Sequence, residues 1–506
     1  MSDEYVFGAH ILESLTTGMY RDSRTIYREY VQNSCDAIDA AIKAALLQEG
    51  EGRIDIDIDA TARRITITDN GTGIKSTDFQ RVLGNIADSD KKQSEDRGFR
   101  GIGRLCGMAY CKTLRFTAKY AGESVISRLE CDAGVLRELL HEQNSGISRY
   151  TASEVLGIIN DFRTENANDI DGHYFRVELE GINDENTALL NFVEVKKYLS
   201  FVAPVPYSLT FDPFSLEIRQ YSDRLGEKID EYCIVMNGTD QVFKEYKKAI
   251  DLGRGKGGDE VYSLKFQEFR DINNELIAWM WFGVSNFRGA IDGDCPMRGI
   301  RLRKKNIQIG DEEGLRSFFT EPRGVNYFIG EIFCVSDGLI PNSQRDYFNE
   351  NPECADFDKQ LKNYFRELSR IYHDGSVISS AFKKINEADR KRSEFKRMLK
   401  AGDFADNNAR ENAKQELHEA EIAASQARVK IGDMKRKGSV ISQDIIERIE
   451  KNCRSTPSPQ EDIAPTVAGN PTYKQKLLNK VFDIIRATVD SHTADKLITA
   501  ISDGLK

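Results

Sequence analysis

The residues best suited to chemistry in this chain lie in one short row near its N-terminus. Glu29 and Asn33 are four residues apart and Asp36 follows three later, so a helix would place them on one face. A carboxylate beside a carboxamide can position water and a hydrated Mg²⁺, which prefers oxygen ligands and keeps several waters. A solvated helix face would show the same row, so the row indicates a site only together with other motifs.

A second motif, DNGTG at residues 69–73, follows a strand-like segment. Asp69 at the end of a buried strand can accept a hydrogen bond from the amino group of a base, while Gly71 and Gly73 let the backbone pass close by. A hydrogen bond to a charged group contributes about 1.5–3 kcal/mol, enough to select adenine over a base without that donor. A plain turn is the alternative, since Asp-Asn-Gly is also turn chemistry.

The third motif is the glycine-rich run GFRGIG at residues 98–103. Glycines at this spacing let backbone N–H groups approach phosphates, and a helix that follows adds its positive N-terminal end. Arg100 and Arg104 supply positive charge. The run does not directly follow a strand, and no acidic residue stands where a Rossmann ribose site requires one.

In this order and at this spacing, the three motifs resemble those of the GHKL ATPase superfamily: DNA gyrase B subunits, heat-shock chaperones, histidine kinases and mismatch-repair ATPases. The chain is most similar to the ninety-kilodalton heat-shock chaperone. YREYVQNSCDAIDA resembles its N-box helix, ITDNGTGI its adenine loop, LGNIADSDKK its lid segment and RGFRGIGRL its glycine box. IPNSQRDYF at residues 340–348 resembles the loop whose arginine contacts the γ-phosphate.

The resemblance implies a role for each matching residue. Glu29 would be the general base that activates the attacking water, and Asn33 would coordinate Mg²⁺. Asp69 would bind the adenine amino group, and Arg345 would reach the γ-phosphate from a second domain. The nucleotide and its metal would be held, under a lid spanning about residues 84–105, by Asn33, Asp36, Asp69, Gly71, Gly73, Gly98, Arg100, Gly101, Ile102 and Gly103.

The sequence departs from the family pattern in two places. The family closes its pocket with a Gly-Thr pair on a late strand, but the nearest match is DGHY at residues 171–174. The threonine's bond to Asp69 is therefore lost or replaced by water. Asp88 stands where the chaperone lid often has lysine. Lys304 and Lys305 are a second candidate for the γ-phosphate contact, with a solvated basic strand end as the alternative.

The segments around these motifs predict the elements that position them. Helical spacing predicts a helix over residues 23–49. Strand-like patterns occur at residues 53–59, 63–69, 113–119, 124–131 and 173–180, and again at 231–236, 261–267, 276–284, 298–309 and 328–334. This order favours an α+β fold, in which an N-terminal Bergerat-type α/β sandwich precedes a second α/β, transducer-like middle domain.

Composition divides the chain further. We expect an ATP-binding domain at 1–202, a middle domain at 203–355, a helical region at 356–452, a proline-rich linker at 453–471 and a C-terminal helical segment at 472–506. A heptad seam from Ala413 to Met434 fits either an antiparallel hairpin within the chain or a coiled coil between two copies. The seam's alanines bury little area each, so the seam is marginal as a dimer contact by itself.

Charge and hydropathy exclude several classes. The chain has 81 acidic and 71 basic residues, a net charge of −10, so it is not a basic nucleic-acid binder as a whole, although the run KRK at 435–437 is locally basic. No apolar run approaches the roughly 18 residues that span a bilayer, and the N-terminus lacks a secretory pattern. Nine scattered cysteines without a C-x-x-C pair indicate neither zinc nor disulfides. We expect a soluble, reduced, cytoplasmic protein.

Two functions stay open. Only His10 precedes the ATP motifs, which disfavours a histidine kinase. The first function is a chaperone-like clamp that binds and hydrolyses ATP with Mg²⁺, as a homodimer that acts on a protein client or partner subunit. The second is a DNA-associated clamp of the gyrase B, mismatch-repair or microrchidia type, in genome maintenance or antiviral defence. The lid and the PNSQRD loop favour the first.

Overall fold

The computed structural model describes residues 7–16, 22–86, 97, 103–253 and 257–437, and then 443, 446–448, 450, 451, 481, 482, 484, 485, 488, 489 and 491–504. The chain divides into two compact units, Met1–Lys451 and Asn452–Lys506. The predicted linker at 453–471 lies outside the described residues. Within the second unit the structure describes a helix at Ser491–Gly504.

An eight-stranded sheet forms the centre of the N-terminal region. Its strands are β1 (Arg53–Asp59), β2 (Arg64–Asp69), β3 (Thr113–Lys119), β4 (Val125–Asp132), β5 (Asn160–Asn166), β6 (Tyr174–Glu180), β7 (Cys233–Met236) and β8 (Asp240–Gln241). They lie in the order β5-β4-β3-β6-β2-β1-β7-β8. Neighbouring strands are antiparallel, except that β1 and β7 are parallel.

Helices cover one face of this sheet. They are α1 (His10–Thr16), α2 (Thr25–Lys43), α3 (Ser76–Gly84), α4 (Ala133–Asn144), α5 (Ala152–Ile159) and α6 (Phe192–Val202). The alternation in β1 buries Ile54, Ile56 and Ile58 in the core that α2 also joins through residues such as Ile26 and Tyr30. The predicted α/β sandwich is therefore confirmed. The helix predicted over 23–49 begins at Thr25 and ends at Lys43.

A second sheet of five strands follows a helix, α7 (Phe214–Arg224), and a two-stranded sheet of β9 (Ala249–Asp251) and β10 (Gly258–Glu260). The five strands are β11 (Ser263–Arg270), β12 (Leu276–Val284), β13 (Gly299–Lys304), β14 (Ile307–Ile309) and β15 (Ile329–Cys334), in the order β11-β12-β15-β13-β14. We call residues 263–348, which comprise this sheet and the loop after it, the second region.

Two strand predictions need correction. The segment 298–309 is two antiparallel strands, β13 and β14, because Lys305 and Asn306 adopt positive φ and turn the chain. The segment 231–236, assigned to the second domain by its position, contributes β7 to the N-terminal sheet instead. That sheet therefore draws on residues beyond 202, and the domain boundary at 202/203 stays a prediction.

Two long helices follow the second region. Helix α8 (Pro352–Ala401) begins where the Asn351 side chain accepts a hydrogen bond from the Cys354 N–H, and it ends at Gly402 in the left-handed conformation. Helix α9 (Asn407–Lys437) returns antiparallel along it. Ion pairs Lys391–Glu416 at 3.1 Å and Arg392–Glu421 at 2.9 Å join the two helices.

The heptad seam faces α8 within the same chain. Ala424, Ala427 and Ile431 of the seam are buried, and the last two pack with Ala381 of α8. Of the two interpretations of the seam, the structure shows the antiparallel hairpin. None of the helices in the described part of the chain combines the length and the apolar character needed to cross a membrane.

Candidate functional site

Helix α2 carries the row of Glu29, Asn33 and Asp36. Glu29 and Asp36 are buried, and Asn33 is half-buried. The apolar residues of the helix, such as Ile26, Tyr30 and Ile38, pack in the core together with the sheet. Burial of two carboxylates requires partners, because an unpaired buried charge is costly. The structure supplies those partners from three different parts of the chain.

Asp69 ends β2 and is held by two hydrogen bonds. Its Oδ2 accepts from the Ser34 hydroxyl at 2.8 Å, and its Oδ1 accepts from the Gly71 N–H at 2.9 Å. His173 Nδ1 lies 2.8 Å from the Gly71 carbonyl oxygen, at the place where the family's Gly-Thr pair was sought. The hydroxyl on Asp69 thus comes from α2, a contact that the sequence analysis missed.

The two glycines after Asp69 are required by close approach. A Cβ on Gly71 would lie 2.5 Å from the Cβ of Ala37, and one on Gly73 would lie 2.0 Å from the Lys119 carbonyl oxygen. Gly73 also has φ +65°, which a side chain would strain. The loop therefore passes tightly between α2 and β3, and it turns beside the buried Asp69 carboxylate.

Glu29 is paired with two arginines. Arg28 Nη2 lies 3.4 Å and Arg345 Nε lies 3.3 Å from the same oxygen, Glu29 Oε1. The three side chains are nearly fully buried. Arg345 therefore reaches from the second region to the predicted general base. The sequence analysis did not predict a role for Arg28, although it is adjacent to Glu29 in the chain.

The loop that carries Arg345 has a defined conformation. Arg345 adopts φ +56°, and its own N–H donates to the Asn342 carbonyl at 3.2 Å. Its carbonyl accepts from the Gly310 N–H at 2.8 Å, and Pro341 and Phe348 pair across the base of the loop. A positive φ at a non-glycine residue persists only where surrounding contacts hold it. The loop therefore presents Arg345 in a fixed direction.

The glycine box is described only in part. Gly103 begins a 3₁₀ helix over Gly103–Ala109, and a Cβ there would lie 2.5 Å from Glu29 Oε2. The Tyr30 hydroxyl donates to the Arg104 carbonyl at 3.1 Å and joins this segment to α2. Four predicted phosphate-binding residues lie outside the described residues: Gly98, Arg100, Gly101 and Ile102. So do Asp88 and most of the predicted lid.

Two further residues that the sequence analysis assigned to the nucleotide, Asp36 and Lys304, contact other parts of the protein. Asp36 Oδ1 accepts from the Arg97 backbone N–H at 2.9 Å and faces its guanidinium at 3.6 Å. Lys304 donates to the carbonyl oxygens of Val335, at 3.1 Å, and Ser336. Burial lowers the pKa of Lys304 below its usual range. Lys304 thus caps backbone carbonyls of the second region.

The residues present fit a nucleotide with Mg²⁺. Asp69 is held as an acceptor beside a loop that only glycine can form, and Asn33 lies one helical turn from Glu29. Within the described ranges no group of three His, Cys, Asp or Glu residues forms a protein-only metal cage. Magnesium in phosphate-transfer sites commonly takes one or two protein oxygens together with phosphate oxygens, which a single carboxamide satisfies.

The class of the N-terminal region follows from a family comparison. Residues 22–154 match the family described as "Histidine kinase-, DNA gyrase B-, and HSP90-like ATPase". That range contains α2, the Asp69 loop and the glycine box. This part of the chain is therefore similar to GHKL-type ATPase domains, as its motifs predict.

Individual relatives extend the similarity. The chain is 35% identical over 442 residues to "Chaperone protein HtpG" of Helicobacter hepaticus, which covers 79% of this chain and 62% of that protein. It is also 32% identical over 134 residues to the HtpG protein of Psychrobacter arcticus, and this alignment covers 23% of this chain and 20% of that protein. The chain thus spans less than two thirds of these relatives. The resemblance to the ninety-kilodalton chaperone class is confirmed.

Proposed function

We propose that this chain binds and hydrolyses ATP in its N-terminal pocket, and that hydrolysis drives a chaperone-like cycle gated by the second region. The GHKL family match and the similarity to HtpG chaperones support the ATP-driven part. The observation that carries the gating is the contact between Arg345 and Glu29. It brings a cation of the second region to the carboxylate assigned to activate water.

Each pocket residue has a role in this proposal. Asp69 accepts from the adenine amino group, and Gly71 and Gly73 let the loop approach the base. Asn33 would hold Mg²⁺, which would neutralise charge on the phosphates. Glu29 accepts a proton from the attacking water. The phosphates are cradled by the glycine box, whose residues are Gly98, Arg100, Gly101, Ile102 and Gly103.

Arg345 has two anionic partners available in this arrangement. In the structure it pairs with Glu29 at 3.3 Å, beside Arg28 at 3.4 Å. A γ-phosphate carries more negative charge than a carboxylate and offers several oxygens to a guanidinium. Once ATP is bound, Arg345 shifts toward the γ-phosphate and breaks its contact with Glu29. Glu29 can then accept the proton of the attacking water. Turnover then depends on the position of the second region.

Substitution of Arg345 tests this proposal. Arg345→Ala should lower the hydrolysis rate about 10²–10³-fold, the cost of removing one donor that stabilises transition-state charge. ADP affinity should stay within about twofold, because ADP lacks the γ-phosphate. Arg323→Ala is the matched control, since Arg323 lies in the second region and pairs with Glu321 at an exposed site. An equal loss of ADP and ATP binding would contradict the assigned role.

Assembly and client are part of the same proposal. We propose that the protein is a homodimer. Its dimer contact would lie outside the heptad seam, because the described part of the seam packs within its own chain. Light scattering of the full chain with and without a non-hydrolysable ATP analogue tests this. A monomer under both conditions contradicts a dimeric clamp.

The DNA-clamp alternative has little support from the basic run. Lys435 pairs with Glu450 at 2.6 Å and Arg436 with Asp433 at 2.7 Å, so both are accounted for by neighbouring carboxylates. Suppression of aggregation of an unfolded client, measured beside duplex-DNA binding across a salt series, separates the two functions. Salt-dependent DNA binding without any effect on the client would favour the alternative.

A further inference from the structure

Arg97 is a buried arginine within the predicted lid, directly before Gly98 of the glycine-rich run. Its side chain is 3% exposed, and its Nη1 lies 2.6 Å from Asp39 Oδ2 and 3.6 Å from Asp36 Oδ1. Its backbone N–H also donates to Asp36 Oδ1 at 2.9 Å. Both aspartates belong to α2, one and two turns after Asn33. The residue is thus anchored to the helix of the candidate site through side chain and backbone together.

The same guanidinium also binds the loop between α7 and β7. Its Nη2 pairs with Asp230, and the group lies 5.1 Å from the centre of the Tyr232 ring. The Tyr232 hydroxyl donates to Asp39 Oδ1 at 2.6 Å, so loop and helix also meet directly. Asn306, at the turn between β13 and β14, donates to the Asp230 carbonyl at 2.5 Å. Arg97 is thereby connected to the second region as well as to α2.

The backbone carbonyl of Arg97 completes the set. It accepts a hydrogen bond of 2.9 Å from Arg345 Nη2, while Arg345 Nε faces Glu29 at 3.3 Å. The guanidinium of Arg345 is therefore held at two points, one on the predicted general base and one on Arg97. A carbonyl that is itself fixed by an anchored residue gives Arg345 a rigid acceptor.

We propose that Arg97 is a positioning residue for hydrolysis: its carbonyl holds one end of the Arg345 guanidinium while the other end exchanges Glu29 for a bound phosphate, and Arg97 is itself tied to α2 and to the Asp230 loop. Arg97 acts through Arg345 and needs no contact with nucleotide. This inference rests on the proposed ATPase function, since it assigns a role within that reaction.

The energetics favour a single arrangement. A buried guanidinium is stable only where carboxylates compensate for its lost hydration, and removal of a partner from a buried charge is strongly unfavourable. Arg97 meets Asp36, Asp39 and Asp230 together only when α2 and the Asp230 loop are in register. The two regions are closely packed at this place, where they leave a cavity of about 20 Å³ lined by residues that include Arg97 and Arg345. Displacement of either side would break contacts of both arginines.

The first test uses two adjacent carboxylates. Asp230→Asn weakens the contact of Arg97 with the Asp230 loop and leaves its ion pairs with Asp36 and Asp39 of α2 intact, so the protein should fold. Glu231→Gln is the matched control, because Glu231 is the next residue and pairs with Arg219 instead, at 3.2 Å. We expect kcat to fall at least about fivefold in Asp230→Asn, with KM and ADP affinity within twofold, and no change in Glu231→Gln.

Arg97 itself gives the larger effect. Arg97→Ala should lower kcat more than Asp230→Asn does, and Arg97→Lys should recover part of the loss, since an ammonium can reach one carboxylate but not all three. The double variant Arg97→Ala with Asp230→Asn should be no slower than Arg97→Ala, because both changes remove the same connection. Full additivity in a folded double variant would overturn the inference.

A second readout separates this inference from the ATPase proposal. Hydrogen exchange of the 340–348 segment, measured without nucleotide, should be faster in Arg97→Ala and Asp230→Asn than in the wild type and Glu231→Gln. Unchanged exchange overturns the positioning role, whatever the turnover. Faster exchange together with a wild-type chain that hydrolyses no ATP would retain Arg97 as the anchor of Arg345, and only the ATPase proposal would fail.

Discussion

Each of the two sheet regions buries one glutamate against two cations, and the two glutamates are held very differently. Glu331, on β15, is fully buried. Arg303 pairs with its Oε1, while its Oε2 accepts from Lys244 at 3.2 Å and Trp281 at 3.4 Å and also from Tyr207. Burial alone would raise the pKa of Glu331, but Arg303 and Lys244 outweigh it and hold the pKa at about 2. Both oxygens are engaged, so this carboxylate is part of the core.

Among the residues that the structure describes, the two charged partners of Glu29 contact the same one of its two oxygens. Both arginines contact its Oε1, at 3.3 and 3.4 Å, which are long distances for charge-assisted hydrogen bonds. Its Oε2 is turned toward Gly103. A carboxylate with long contacts on one oxygen can change partners at modest cost, whereas Glu331 would have to break four contacts. The difference distinguishes a carboxylate placed for chemistry from one placed for stability.

The sharpest test of that distinction is Glu29→Gln. The change keeps the size of the side chain and removes its basicity, so ATP hydrolysis should fall about 10²–10⁴-fold. ATP affinity should stay within a few fold, because Glu29 is not placed to bind the base. Phosphate release and nucleotide titration measure the two effects separately. Glu49→Gln, an exposed carboxylate paired with Lys228, is the control. Turnover like that of the wild type would remove Glu29 from the mechanism.

Glu331→Gln should show the opposite profile. The substitution leaves Arg303 and Lys244 buried without their carboxylate, and breaking a buried ion pair in this way costs about 3–5 kcal/mol. We therefore expect the free energy of unfolding to fall by that amount in denaturant titrations. Glu321→Gln, at an exposed pair with Arg323, should change it by less than about 1 kcal/mol. A Glu331 variant as stable as the wild type would mean that the two glutamates do not differ as described.

Local patterns predicted most of the elements around Glu29. The alternating RIDIDID and ITIT segments form β1 and β2, because one face of each strand is buried and the period is visible in the sequence. Strand β2 ends at Asp69, as expected. Strand β5 was missed because most of its side chains are exposed and give no such alternation. The placement of β7 was misjudged since its partner, β1, lies far earlier in the chain.

The contacts that complete the site were harder to predict. Arg97 meets Asp36 and Asp230 at separations of 61 and 133 residues, and no local spacing signals such a meeting. The contact of Ser34 with Asp69 could have been predicted more easily, since Ser34 adjoins Asn33 on a helix already assigned to the pocket. Family resemblance placed Arg345 near the phosphates, but it gave no indication that the same side chain would pair with Glu29.

Asp69→Asn tests the adenine end of the pocket. The amide can still accept a hydrogen bond from the Ser34 hydroxyl, but it loses the charge that strengthens the bond to the base. A charged acceptor contributes about 1.5–3 kcal/mol, which corresponds to roughly a 10- to 150-fold loss of affinity. ATP and ADP should weaken equally in calorimetric titrations, in contrast to the effect of Glu29→Gln. Unchanged affinity for both nucleotides would overturn the adenine assignment.

The smallest expected effect concerns the cation beside Glu331. Burial, together with the nearby charge of Arg303, lowers the pKa of Lys244 to about 7, whereas an unfolded lysine titrates near ~10.4. Between these values the unfolded chain binds the additional proton, so the stability contributed by Lys244 rises with pH, by up to ~1.4 kcal/mol per unit. The difference in unfolding free energy between wild type and Lys244→Met should therefore be flat below pH 7 and grow in favour of the wild type up to pH 9. Lys228→Met, at an exposed lysine that pairs with Glu49, is measured beside it as the control. If the difference in unfolding free energy between wild type and Lys244→Met does not change with pH, Lys244 stays charged in the core, stabilised there by its ion pair with Glu331.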